Sequence, residues 1–192
     1  MTRGYAATGT REIATQVGLR QASLFHYFAR KEDLLAELLD RTVSPALSGT
    51  EWLTAAAGPP EVRLYLLARH DATNLCGTRH NSAALQLLPE ARGDRYAEFW
   101  AKRARLRRRY RALVKEAAGR GLVVELPLEI VTDLVFGAVE AIMTWSARSR
   151  RTPEVVGDAI ASSAVRGVLV QPPSPDELRC AGDELLLTRA PE

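Results

Sequence analysis

The sequence is poor in cysteine, in aromatic residues and in long apolar runs. Its 192 residues include two cysteines, Cys76 and Cys180, and only 6% aromatic residues. The two cysteines lack the short spacing of a metal-binding motif, so we expect two free thiols. No apolar run approaches the roughly 20 residues that cross a bilayer. The first residues also lack the apolar core of a signal peptide. We therefore expect a cytoplasmic protein without a membrane partner.

Motifs of catalysis and of cofactor binding are missing as well. The chain has no Gly-rich phosphate loop, no His-Glu-x-x-His and no Gly-x-Ser-x-Gly. His70, Asp71 and His80 do not have the spacing of one helix face, so we expect no metal site. The formal net charge of +3 is too small to indicate nucleic-acid binding by itself. These absences predict a protein that is not an enzyme and carries no cofactor.

Helical spacing of apolar residues dominates the rest of the chain, which predicts an all-α fold. We expect helices over residues 9–17, 21–28, 31–47, 60–78, 82–88, 94–119, 127–147 and 153–170. One stretch, residues 122–126, has the composition of an extended segment. The Pro-rich segment 171–175 ends the packed region, and the tail after it either holds a short helix near residues 177–187 or is disordered.

Residues 4–35 contain the pattern of a helix-turn-helix. Ile13 and Val17 are four residues apart and share one helix face, and Leu24 and Phe28 are predicted to pack against them. Between the two pairs, Gly18 supplies the positive φ that a tight turn between helices needs.

The second of these helices presents a short polar face. Ala22, Ser23 and His26 turn away from the predicted core, and Tyr27 lies at its edge. Gln21 falls in the first turn, where a recognition helix reaches base edges in the major groove. This face favours DNA binding.

The predicted helix over residues 127–147 is apolar on nearly every side, which requires burial on two sides. A second copy of the chain is one candidate for the second side, and a buried central helix in a monomer is the alternative. With the helix over residues 153–170 it would form half of a four-helix dimer interface. The predicted interface residues are Val131, Leu134, Val135, Ala138, Ile142, Trp145, Val156, Ile160, Ser163 and Gly167.

The N-terminal stretch resembles the TetR family of bacterial transcriptional regulators. The matching positions are Arg3-Gly4-Tyr5, Thr8, Arg11-Glu12-Ile13-Ala14, Gly18-Leu19, Ser23-Leu24-Phe25-His26-Tyr27-Phe28 and Lys31-Glu32-Asp33-Leu34-Leu35. The resemblance implies a helix-turn-helix DNA-binding domain at residues 1–40, a helical ligand-binding and dimerisation domain at 41–170, and a Pro-rich tail at 171–192.

The resemblance also implies roles for individual residues. Gln21, Ala22 and Ser23 occupy positions that contact bases, and Thr8, His26, Tyr27 and Lys31 occupy positions that contact phosphates. The implied function is a homodimeric repressor that leaves its double-stranded DNA operator when a small-molecule effector binds. Candidate polar residues of the effector pocket are His70, Asn74, Gln86 and Trp100.

Two features depart from the family pattern. Arg20 replaces the usual Ser or Thr cap of the recognition helix, which costs about 1 kcal/mol of capping. The family also has a helix before Arg3 that covers Ile13, Leu24 and Phe28. We expect either that the true start lies upstream of Met1 or that DNA binding is weakened.

Three other interpretations remain open from the sequence. The chain could be a DNA-binding nucleoid or scaffold protein of the same fold without an effector. It could instead be a dimeric module that binds a ligand or a protein and has lost DNA binding. Separately, the basic run at residues 102–111 could be a solvated helix face with acidic neighbours or a second nucleic-acid contact.

Overall fold

The computed structural model describes residues 4–188, without the side chains of Arg79, His80 and Ala147. Arg3 of the matched motif therefore lies outside the described residues, as do the last four residues of the predicted tail. Within the described part the chain forms nine α-helices, as an all-α prediction requires. They are α1 (Thr10–Gln16), α2 (Gln21–Tyr27), α3 (Lys31–Gly49), α4 (Pro60–Gly77), α5 (Ala97–Gly119), α6 (Leu128–Glu140), α7 (Ile142–Trp145), α8 (Pro153–Arg166) and α9 (Pro175–Leu187).

Short 3₁₀ segments occupy several of the connections, at Glu51–Thr54, Arg79–Leu87, Pro89–Arg92, Asp94–Tyr96 and Ser146–Arg148. The helix predicted over residues 82–88 is thus a 3₁₀ segment. The helix predicted over 127–147 is interrupted at Ala141. Just beyond the interruption, the Asn81 side chain donates a hydrogen bond to the carbonyl oxygen of Met143 at 2.9 Å.

The segment predicted to be extended is extended. Val123 and Leu169 form an isolated antiparallel bridge. The Val124 amide donates to the carbonyl of Val168 at 2.9 Å, and the Val170 amide donates to that of Leu122 at 3.0 Å. The bridge therefore ties the chain after α5 to the chain after α8.

Residues 4–30, which we call the head, fold around the predicted glycine turn. Gly18 has a φ of +72°. The Gly18 amide donates to the Thr15 carbonyl at 3.1 Å, and the Leu19 amide donates to the Ala14 carbonyl at 2.8 Å. These two bonds form a Schellman motif that satisfies the last carbonyls of α1. The prediction that Val17 packs inward is wrong, because Val17 follows the last residue of α1 and is 61% exposed.

The remainder, which we call the body, packs around α4. Helix α8 approaches α4 so closely that a Cβ atom at Gly157 would lie 2.1 Å from Thr73 Oγ1. Helix α9 approaches another part of α4, where a Cβ at Gly182 would lie 3.0 Å from Tyr65 Cε1. The tail therefore holds a packed helix, whose start is fixed by reciprocal hydrogen bonds between Ser174 and Glu177.

Helices α3 and α5 run in the same direction, and their polar contacts repeat every seven residues. Arg95, just before α5, pairs with Asp33. Lys102 pairs with Asp40, and the buried Arg109 guanidinium donates to the Leu47 carbonyl. The sequence separation is 62 residues in each case. We call these three contacts the ladder, because they set one register between the helix that leaves the head and a long helix of the body.

A groove of about 420 Å³ lies where the head meets the body. Its apolar lining includes Ile13 of α1, Leu34 and Leu38 of α3, and Leu88. Ile13 and Phe28 are half-buried, whereas Leu24 is buried. The groove is therefore lined by α1, α3 and the segment at Leu85 and Leu88, and Leu24 is not part of its lining.

Candidate functional site

The predicted DNA-reading face lies on the exposed side of α2. Ala22, Ser23 and His26 are exposed, and Tyr27 is 74% exposed. The rings of His26 and Tyr27 meet edge to face, with centroids 5.4 Å apart. The buried Leu24 anchors the opposite side of the same helix. The helix thus presents Ala22, Ser23 and His26 outward, beside the partly exposed ring of Phe25.

Gln21 is the first residue of α2, as predicted, but its side chain is not free. Its Nε2 donates a hydrogen bond to Thr10 Oγ1 at 3.1 Å. Thr10 is the first residue of α1, so the bond joins the two N-terminal ends of the helix pair. Arg20 precedes α2 and makes no side-chain capping bond, which agrees with the capping loss expected from the sequence.

Two residues predicted to contact phosphates, Lys31 and Thr8, hydrogen-bond to the first residues of the described chain. The Lys31 amine lies 3.9 Å from the centroid of the Tyr5 ring and also donates to the Tyr5 carbonyl. Thr8 Oγ1 donates to the Gly4 carbonyl at 3.0 Å. Lys31 and Thr8 therefore brace the segment before α1, while His26 and Tyr27 lie on the exposed side of α2.

A polar cluster occupies the interior of the body around Arg103, a residue that we did not predict. Its guanidinium lies 5.7 Å from the Trp100 ring centroid and 5.4 Å from that of Phe136. It donates to Gln86 and pairs with Glu140. Gln86 in turn donates to Thr42 Oγ1 of α3 at 2.9 Å. The cluster therefore connects the body interior directly to the helix that leaves the head.

A buried acid–phenol pair adjoins this cluster. Tyr110 donates to Asp71 Oδ2 at 2.9 Å, and Asp71 is only 3% exposed. Burial raises the pKa of Asp71 to about 6, while the Tyr110 hydrogen bond and the charge of Arg103 act in the opposite direction. Most of the other buried residues of α4 are apolar. An acid in such a helix is the sequence signal that could have identified Asp71 as a buried polar residue.

The four predicted pocket residues do not meet at one place. Gln86 and Trp100 both contact the Arg103 guanidinium. His70 lines a different cavity of about 300 Å³, and its Nε2 lies 3.2 Å from the Pro45 carbonyl oxygen. Asn74 has a buried amide nitrogen without a hydrogen-bond partner. Of the four predicted pocket residues, only Gln86 and Trp100 thus belong to the Arg103 cluster.

The predicted dimer face is divided between the core and the surface. Val131, Val135, Ile142 and Val156 are buried inside the protomer, so their assignment to an interface is wrong. Trp145, Ala138 and Ile160 are half-buried, whereas Leu134, Ser163 and Gly167 are exposed. The exposed stripe of α6 also includes Ile130, and that of α8 includes Val155 and Ala159.

The basic run of α5 is largely matched by acids. Lys102, Arg103, Arg105, Arg107 and Arg109 lie within salt-bridge distance of Asp40, Glu140, Glu51, Asp133 and Glu51, respectively. This supports a charge-compensated helix rather than a second nucleic-acid contact.

Both cysteines are free thiols, as expected. Among residues 4–188, no group of three potential metal ligands comes together. In the same part of the chain, no helix is long and apolar enough to span a membrane.

Comparison with family models covers both parts of the chain. Residues 1–38 match the model of bacterial regulatory proteins of the tetR family. Residues 57–168 match the tetracyclin repressor-like C-terminal domain. Comparison with curated proteins gives no match.

Solved structures extend the likeness to the whole chain. AmtR of Mycobacterium smegmatis is 40% identical, with a TM-score of 0.83, over 99% of this chain and 89% of that one. The ketosteroid transcriptional regulator KstR2 of Mycobacterium tuberculosis shares the fold at 20% identity, with a TM-score of 0.76 and 88% of each chain covered. AibR in complex with isovaleryl coenzyme A and operator DNA shares it at 21% identity, with a TM-score of 0.68, over 83% of this chain and 88% of that one.

Proposed function

Since this chain belongs to the TetR family of bacterial transcriptional regulators, we propose that it is a homodimeric repressor that a small molecule releases from its operator. The observation that supports this most is the pairing of an exposed polar face on α2 with an exposed apolar stripe on α6 and α8. A dimer formed through that stripe presents two copies of α2. A two-fold operator needs two such faces about 34–36 Å apart, one turn of DNA.

Within this proposal, Gln21, Ala22 and Ser23 contact bases, and Thr8, His26, Tyr27 and Lys31 contact phosphates. Gln pairs well with adenine, and the Ala methyl group fits against thymine. Phosphate contacts set register and affinity without selecting sequence. The division of roles is therefore testable by comparing sequence preference with salt dependence.

For the base contact, Gln21→Ala is expected to relax preference at one base position of the bound site and to leave non-specific binding nearly unchanged. For the phosphate contact, Lys31→Met keeps an apolar chain over Tyr5 but removes the charge. It is expected to weaken all duplexes alike and to lower the slope of log affinity against log salt by about one. Binding to a random-sequence duplex library at several salt concentrations measures both effects. If the two variants behave alike, the division is wrong.

The proposed dimer uses the outward side of α6 and α8, where Ile130 is 46% exposed and Leu134 is 51% exposed. Burial of such residues contributes about 25 cal/mol per Å² of apolar surface. Leu134→Glu is expected to yield monomers in sedimentation velocity and to abolish binding to two-fold sites. Leu187→Glu, an exposed position at the end of α9, is the control. Dimers that persist in Leu134→Glu would exclude this face.

The proposed effector acts through the Arg103 cluster. A ligand that takes the hydrogen bonds of Gln86 removes the support that Gln86 gives to Thr42 of α3. A coupling of about 1–3 kcal/mol between the two sites is enough for regulation. AibR, which shares this fold, is known in complex with isovaleryl coenzyme A and operator DNA, and this supports the proposal of both kinds of partner.

Two alternatives within the same family remain to be distinguished by experiment. A nucleoid protein would bind DNA with little sequence preference and without an effector, and a module that has lost DNA binding would not bind at low salt. Selection from a random duplex library separates both from a repressor. A thermal-shift screen of small carboxylates and acyl-coenzyme A thioesters, with Gln86→Met as the unresponsive control, tests the effector.

A further inference from the structure

The contact between Thr10 and Gln21 assigns a role to a residue outside the reading face. We propose that Thr10 determines base specificity indirectly, by holding the Gln21 carboxamide in the orientation that reads adenine. This rests on the proposed base contact of Gln21. Thr10 is a positioning residue in this scheme, because its hydroxyl binds the Gln21 side chain and is not itself proposed to contact DNA.

The chemistry of the carboxamide supports the assignment. A glutamine side chain has two N–H donors and one carbonyl acceptor. Bidentate pairing with adenine uses one donor for N7 and the acceptor for the N6 amino group. Thr10 accepts one N–H at 3.1 Å, which leaves one N–H and the carbonyl oxygen available. The groups that remain, one N–H and one carbonyl oxygen, are of the kinds that pair with adenine.

The position of the two residues makes the contact effective. Gln21 begins α2 and Thr10 begins α1, so neither side chain is anchored by a preceding helical turn. Both are half-buried, while the neighbouring Ala22 and Ser23 are exposed. A free glutamine loses considerable rotamer freedom on binding, and a side chain held in advance loses less. Thr10 therefore reduces the entropy lost when Gln21 engages a base.

Other features of the molecule explain why this contact matters. Arg20 gives α2 no side-chain cap, so the first turn lacks the usual hydrogen bond to its amides. The Gln21–Thr10 bond links this uncapped turn to α1. The same bond connects Gln21 to α1, the helix that precedes the Gly18 turn. The orientation of the Gln21 side chain therefore depends on how α1 and α2 pack together.

The test uses Thr10→Val, which keeps the shape and removes the hydroxyl, and Thr10→Ser, which keeps the hydroxyl. Full-length variants are compared by selection from a random-sequence duplex library and then by titration of matched duplexes that differ at one position. Thr10→Val is expected to lower the preference at the Gln21 position by about threefold to tenfold, part of the discrimination of a bidentate pair. Thr10→Ser is expected to restore most of it, and the salt slope is expected to stay unchanged in both.

Two further variants distinguish a failure of the proposed Gln21 base contact from a failure of the proposed Thr10 role. Gln21→Ala identifies the base position, and Thr10→Val added to Gln21→Ala is expected to cause no further loss of preference. If Gln21→Ala changes no position, the proposed base contact fails. If it does and Thr10→Val leaves the preference intact, the role of Thr10 alone is refuted. A loss of thermal stability in Thr10→Val without a change in base preference would likewise make Thr10 a merely structural residue.

Discussion

The head and the body are stabilised in different ways. Among residues 4–30, Ala14 and Leu24 are the buried apolar residues, and neither belongs to the main core cluster, which begins at Leu35. The body surrounds α4 with a continuous apolar core, and α8 and α9 approach α4 closely at Gly157 and Gly182. A small domain with so few buried side chains is marginal by itself. The head therefore has little core of its own, whereas the body is held by one large core.

The substitutions expected to change stability most remove one buried leucine from each region. Leu24→Ala and Leu113→Ala both remove a buried leucine side chain, at a cost of about 2–5 kcal/mol. Since the head buries only Ala14 and Leu24 among its apolar residues, we expect α1 and α2 to lose amide protection while the body keeps its melting temperature. In the body we expect the whole chain to melt earlier. Hydrogen exchange and calorimetry measure both. A matched fall in melting temperature for the two variants would show that head and body unfold as one unit.

A second test concerns a polar group that only the body buries. The folded state holds Asp71 with a pKa of about 6, above the ordinary value of 3.8. A raised acid pKa stabilises the fold below pH 3.8, and this stabilisation is lost as pH rises towards about 6. Asp71→Asn is therefore expected to stabilise the body by about 1–3 kcal/mol at neutral pH and to have little effect at pH 4.

Urea titrations at several pH values check this expectation. Tyr110→Phe removes a hydrogen bond that lowers the pKa of Asp71, so it should move the pH-dependent window upward. If unfolding of Asp71→Asn and of the parent chain depends on pH equally, folding does not raise the pKa of Asp71. The head offers an internal comparison, because its exchange rates, corrected for pH, should not follow this transition.

The smallest effect on stability is expected at the ladder, which holds α3, the helix that follows the head, against α5. Lys102 and Asp40 are both partly exposed, and such pairs contribute about 0.2–1 kcal/mol. Lys102→Met should thus change the melting temperature little, yet it loosens α3 against α5 and should weaken DNA binding. Arg107→Met breaks a comparable pair between α5 and α6, with Asp133. Equal DNA affinities of the two variants would show that the ladder does not position the head.

Much of the fold could be predicted from local pattern. The Gly18 turn, the start of α2 at Gln21 and the extended segment at 122–126 follow from residue types at short range, and the structure confirms them. The tail helix was left open by the sequence, although Ser174 and Glu177 have the spacing of a capping box.

The interior and the surface of the body could not be predicted in the same way. A helix that is apolar on all sides gives no periodicity to distinguish its own core from a partner. Val131 and Val135 were therefore assigned to the wrong side, while Leu134 lies outside. The Arg103 cluster joins residues from four elements that are distant in the sequence, so a basic run and a lone acid were its only signals.

The ladder also divides the molecule into exchangeable parts. Its rungs at Asp40 and Leu47 lie in the part of α3 that follows the head, and only the Asp33 rung lies near it. A recognition unit transplanted from another regulator with a junction at Leu39 would keep two of the three rungs with α5. Such a chimaera would keep the register between α3 and α5. The transplanted unit would need only an acid at position 33 to restore the third contact, with Arg95.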